Sequence, residues 1–107
     1  MNVNPIRFEY EGKEYTLEFT RESVKQLERS GFDINNINSK LMTTIPQLFA
    51  GAFLAHHRFI KQDKIDEMFN KFTNKSALLE RLADLYKAPF ESLLEDEVDE
   101  KNGIQWE

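Results

Sequence analysis

The chain holds two histidines, and they are adjacent: His56 and His57. Imidazole is the side chain best suited to proton transfer and zinc ligation near neutral pH, so any chemistry would start here. Neighbouring side chains on a helix point roughly 100° apart, whereas a helical zinc site uses an i, i+4 pair, as in His-Glu-x-x-His. The i+4 positions here are Ile60 and Lys61, and neither is a ligand. The spacing thus speaks against a metal-dependent hydrolase built on these residues. It predicts structural roles instead: His56 in a core stripe with a hydrogen-bond partner, His57 at a partner-facing edge. Nucleophiles find no support either. Ser23, Ser30, Ser39, Ser76 and Ser92 lack a Gly-x-Ser-x-Gly elbow, the four glycines form no phosphate-cradling loop, and there is no cysteine. Paired carboxylates such as Asp66 with Glu67, or Glu91 with Glu95, fall on predicted polar faces. The expectation is a protein that is not an enzyme and uses no cofactor or metal.

Charge narrows the classes further. Of 107 residues, 14 are Lys or Arg and 19 are Asp or Glu, giving a net charge of −5. The stretch from Leu93 to Glu107 holds six acids and one base, so the whole excess sits there and the remaining chain is neutral. A nucleic-acid binder needs a basic face to neutralise phosphates, and none is indicated. The longest apolar run, Leu48 to Ala55, is far shorter than the roughly 20 residues of a membrane helix, and Met1 to Pro5 lacks the charge and apolar segment of a secretion signal. A cytoplasmic domain over residues 1–94, followed by an acidic, disordered tail over 95–107, is the expected organisation.

The elements that would position these side chains give an α+β, mainly α fold, with an N-terminal β-hairpin followed by four to five helices. Ile6 to Phe19 alternates apolar and polar residues around Gly12, the pattern of a hairpin. A two-residue loop at Gly12-Lys13 pairs Tyr10 with Tyr15, Phe8 with Leu17 and Ile6 with Phe19, all on one face. Thr20 reads as the N-cap of a helix with Val24 and Leu27 inward, ended by Gly31 at a left-handed position with Phe32 folding back. Asp33 to Thr43 reads as a packed loop pinned by Ile34, Ile37 and Leu41.

Thr44-Ile45-Pro46-Gln47 matches a capping box with proline in the first turn. The helix it opens is expected to run to about Lys61 with one apolar stripe of Ile45, Leu48, Phe49, Ala52, Phe53, His56, Phe59 and Ile60. Asp63 caps a third helix with inward Ile65, Met68, Phe69 and Phe72. Asn74 caps a fourth with Leu78, Leu79, Leu82, Leu85 and Tyr86, and Pro89 ends it or opens a short fifth turn carrying Phe90, Leu93 and Leu94. Gly51 and Ala55, four apart, allow another backbone to approach closely, either within the molecule or, as in a homo-oligomer, from a second copy.

Candidate partner contacts follow from these faces. Leu54 and His57 lie beside the central stripe, and Trp106 stands beyond the acidic run as the end of an Ile104-Gln105-Trp106 segment, the form of a short docking motif. An acidic regulator that occupies a host protein's nucleic-acid groove is one alternative built on the tail carboxylates. Three segments, Phe8 to Phe32, Ile45 to Arg58 and Leu82 to Leu94, resemble the small tail assembly chaperones of siphophages and prophages. The resemblance implies a non-enzymatic protein of the host cell cytoplasm that binds the tape measure protein, keeps that long helical chain soluble and helps recruit tail tube protein. It supplies no catalytic residues.

Overall fold

Two consecutive residues with positive φ, Glu11 at 51° and Gly12 at 78°, turn the chain at the tip of the hairpin. A two-residue loop of this kind matches the right-handed twist of its strands. The computed structural model describes residues 4–95 and 103–104, apart from the side chains at 37, 38 and 95. In it β1 (Ile6–Tyr10) pairs antiparallel with β2 (Lys13–Leu17), placing Ile6 opposite Leu17, Phe8 opposite Tyr15 and Tyr10 opposite Lys13. The expected Gly12-Lys13 loop is therefore corrected to Glu11-Gly12, a shift of the pairing by two residues. Because side chains alternate with period two, that shift leaves every residue on its face. Tyr15, Leu17 and Phe19 are buried as expected. On the polar face Arg7 stands opposite Thr16, and Glu9 opposite Glu14.

Thr20 caps α1 (Arg21–Arg29) as the sequence suggests, through a reciprocal pair in which its hydroxyl accepts from Ser23 N–H and Ser23 Oγ accepts from Thr20 N–H. At the other end Gly31 has φ 101°. The amides of Gly31 and Phe32 donate to the carbonyls of Glu28 and Leu27 at 3.0 and 3.3 Å, the paired bonds of a Schellman motif. Phe32 is buried against the core. The segment expected as a packed loop contains a 3₁₀ helix, Ile34–Asn38, capped by Asp33; Leu41 is half exposed and lies outside the core cluster.

The central helix departs most from expectation. α2 spans Leu41–Gly51, starting three residues before Thr44 and stopping ten before Lys61. Thr44 is a buried helical residue whose amide donates to Lys40 O at 2.9 Å, so it caps nothing. Pro46 sits within the helix and has no amide hydrogen to donate to the Met42 carbonyl one turn before it; Met42 itself is 91% exposed. Beyond Gly51 the chain runs through successive turns, and Phe59, assigned to the inward stripe, is 94% exposed.

α3 (Gln62–Lys71) begins after Lys61, with Asp63 in its first turn instead of capping it. It presents Ile65 and Met68 to the core, with Phe69 and Phe72 packed alongside. Asn74 Oδ1 accepts from Ala77 N–H at 3.3 Å and caps α4. α4 (Lys75–Glu95) passes through Pro89 without ending, which corrects the expected stop. α1 packs on α2 and α4, and α2 on α3. One cluster joins all layers. Phe49 is its hub, with ring centroids 5.2, 5.1 and 5.6 Å from Phe53, Phe69 and Phe72, and Phe8 reaches Phe72 at 4.9 Å. No helix among the described residues is long and apolar enough to cross a membrane.

Candidate functional site

A two-stranded ribbon has a free edge on each strand, and an open edge is a template for unwanted pairing. The amides of Thr16 and Glu18 both point away from β1, and the segment 52–57 meets them. Glu18 N–H donates to Ala52 O at 3.1 Å, and Thr16 N–H donates to His57 Nε2 at 3.0 Å. His56 Nε2 lies 2.6 Å from Glu18 Oε1. This demand for acceptors explains the end of α2: a continuous helix would have tied up Ala52 O and swung His57 away from the strand. Gly51 makes the junction feasible, because a Cβ there would lie 2.6 Å from Leu27 Cδ2 on α1. The close approach at Gly51 is thus made within the molecule, against α1.

The departing segment leaves a groove of about 310 Å³ between itself, α1, α2 and the start of α3. Leu27, Phe53, Leu54, Ile60 and Ile65 supply its apolar lining, with Gln26, Gln62 and Arg58 among its polar groups and His57 at one wall. Two of the three expected contact positions, Leu54 and His57, meet in this one groove. Trp106 lies outside the described residues, as does most of the acidic tail. Ile60 and Ile65 were legible only as core positions. Gln26, on α1, and Arg58 carried no signal, because the groove they line exists only through the turn after Gly51.

His57 is half-buried, its ring 5.1 Å from that of Tyr15 and 6.2 Å from that of Phe53. Burial foremost, then the positive charges of Lys13 and His56, hold its pKa below the ordinary imidazole value. Acceptance of the Thr16 amide fixes the neutral ring with its proton on Nδ1. His56, expected in the core, is an exposed residue that faces Glu18. No group of three or more His, Cys, Asp or Glu side chains able to hold a metal exists among the described residues.

A second set of contacts fastens the hairpin tip to α3. Tyr10 Oη donates to the Glu67 carboxylate and Lys64 Nζ to that of Glu11, while Lys64 and Lys71 approach the Tyr10 ring at 5.3 and 5.5 Å. The hydrogen bond from Tyr10, foremost, lowers the pKa of Glu67. Glu11, Glu67 and Lys71 are exposed and Tyr10 and Lys64 half-buried, and together they form a clasp of mutually engaged groups.

Apolar surface also lies outside the groove. Phe90, Leu93 and Leu94, at i, i+3 and i+4 on α4, are more than half exposed, as is Met42 on α2. Residues 1–107 match a family model described as "Domain of unknown function (DUF5055)". No curated protein and no solved structure matches the chain.

Proposed function

The chain belongs to the DUF5055 family, and we propose that it is a phage or prophage tail assembly chaperone. On this reading it is a non-enzymatic protein of the host cytoplasm that binds the tape measure protein and supports assembly of the tail tube. The observation that carries the proposal is the groove in which Leu54 and His57 converge, taken with the resemblance of the three chain segments. At about 310 Å³ it stands at the lower end of the roughly 300 to 1,000 Å³ typical of small-molecule pockets. Such a groove suits one or two apolar anchors of a client helix, the helix-in-groove mode of recognition. The exposed row Phe90, Leu93 and Leu94 adds apolar surface, and the net charge of −5 favours solubility of a loaded complex.

Co-expression with a helical fragment of a tape measure protein tests the proposal. The two are expected to co-elute on size exclusion, and Leu54→Asp, which places a charge in the groove, is expected to abolish the complex without unfolding the chain. Two partners that are each soluble alone and form no complex would sink it.

A further inference from the structure

The geometry points to a proton-controlled latch: in mild acid the His57 ring lets go of Thr16 and reshapes the groove, while the Ala52 and His56 contacts keep the rest of the 52–57 strap on Glu18. This inference concerns only the chain itself and does not rest on the proposed client.

Three contacts hold the strap, and they respond differently to protons. Glu18 N–H to Ala52 O, at 3.1 Å, is a backbone bond and does not titrate. His56 Nε2 with Glu18 Oε1, at 2.6 Å, survives protonation of the ring, because an imidazolium donates to a carboxylate and the pair becomes charge-assisted. Thr16 N–H to His57 Nε2, at 3.0 Å, does not survive it. Once Nε2 carries a proton it is a donor facing a donor, and the Thr16 amide loses its partner at a half-buried edge, a costly state.

The surroundings give the cation no compensation. From β2, Lys13 adds positive charge and Tyr15 a ring; from its own segment, His56 and Arg58 are basic; and Glu18 is engaged by His56. The groove residues of α1 and α3, Gln26, Leu27, Ser30, Gln62 and Ile65, carry no titratable group. The depressed pKa keeps the latch shut at neutral pH and places its opening on the acid side of ordinary imidazole titration. Since His57 and Leu54 share one groove, release of His57 alters that groove directly.

Amide hydrogen exchange followed by NMR, at about pH 7.5 and about pH 5 and corrected for intrinsic rates, reads the latch. Protection of the Thr16 amide is expected to fall about tenfold in acid, the order of effect of losing one hydrogen bond, while the Glu18 amide keeps its protection. In His57→Gln, whose side-chain oxygen can accept at the same place without titrating, the acid-induced loss at Thr16 is expected to vanish. Equal losses at Thr16 and Glu18 would mean general loosening and overturn the proposal. So would unchanged Thr16 protection, a wild-type response retained in His57→Gln, or ring nitrogen shifts showing His57 neutral throughout.

Discussion

α4 and the segment 52–60 face opposite pressures and end in opposite conformations. α4 contains a proline, the residue least compatible with a helix interior, yet it continues through Pro89 to Glu95. The segment 52–60 contains no proline and carries apolar residues at helical spacing, yet it leaves the helix after Gly51. Intrinsic propensity would predict the reverse. In α4 the residues before the proline, Leu78, Leu82 and Leu85, are buried, so the helix is held by packing and tolerates one missing bond. After Gly51 the nearest unsatisfied groups belong to β2, and the chain gives up helical bonds to supply Ala52 O and His57 Nε2 to its edge. The difference shows how backbone hydrogen-bond demand from a distant element can outweigh a local periodic pattern.

The sharpest way to break this comparison is to truncate two phenylalanines of the same apparent stripe. Phe53 is 1% exposed and Phe59 94%. Phe53→Ala is expected to cost about 3 to 5 kcal/mol, the range for a fully buried aromatic, and Phe59→Ala less than about 0.5 kcal/mol. Urea midpoints at constant m-value would measure both. Comparable losses would mean that the segment is an ordinary amphipathic helix after all.

Gly51 is the next test, because it sets where the two conformations divide. Gly51→Ala improves helix propensity locally, yet its Cβ would meet Leu27 at 2.6 Å. Leu27 is itself buried at 7% exposure and has little room to yield. Overpacking of this kind costs about 1 to 3 kcal/mol. A gain in stability would show instead that the glycine is tolerated and that packing against α1 does not set the end of α2.

How far such features can be read from sequence follows from where their causes lie. The caps at Thr20 and Asn74 and the glycine stop at Gly31 were legible because each depends on residues within four positions. The shared face of the hairpin was legible from period-two alternation, although its register was not: the Glu11-Gly12 loop requires positive φ at a glutamate, which residue type alone does not advertise. The end of α2 was illegible, because its cause lies in the amides of Thr16 and Glu18, more than thirty positions away. Leu54 and His57 were singled out for lying beside a helical stripe. The structure brings them together for a different reason, the turn after Gly51.

Pro89 offers a smaller effect with the opposite sign. Replacing it with alanine restores the amide that can donate to Leu85 O and removes a helix-interior penalty of about 3 kcal/mol. The buried ring and the stiffer unfolded chain offset much of that gain. A net stabilisation of about 1 kcal/mol is expected, read as a rise in Tm of about 5 °C. A fall would show that the proline ring is itself part of the packing that holds α4 together.

The pH dependence of stability should give the smallest effect, and it bears on the strap alone. The folded pKa of His57 lies below its unfolded value because burial, foremost, and the charges of Lys13 and His56 disfavour the cation. The unfolded chain therefore binds a proton before the folded one does, and stability falls as pH falls through that interval. This contribution is complete above the unfolded value of about 6.5, declines as pH drops below it, and levels off once the folded ring is also protonated. In urea titrations the midpoint of the wild-type chain should drift downward in this window by more than that of His57→Gln, since the carboxylates common to both proteins cancel in the difference. Equal drifts would assign the whole acid response to carboxylates such as Glu67 and leave the strap contact without influence on global stability.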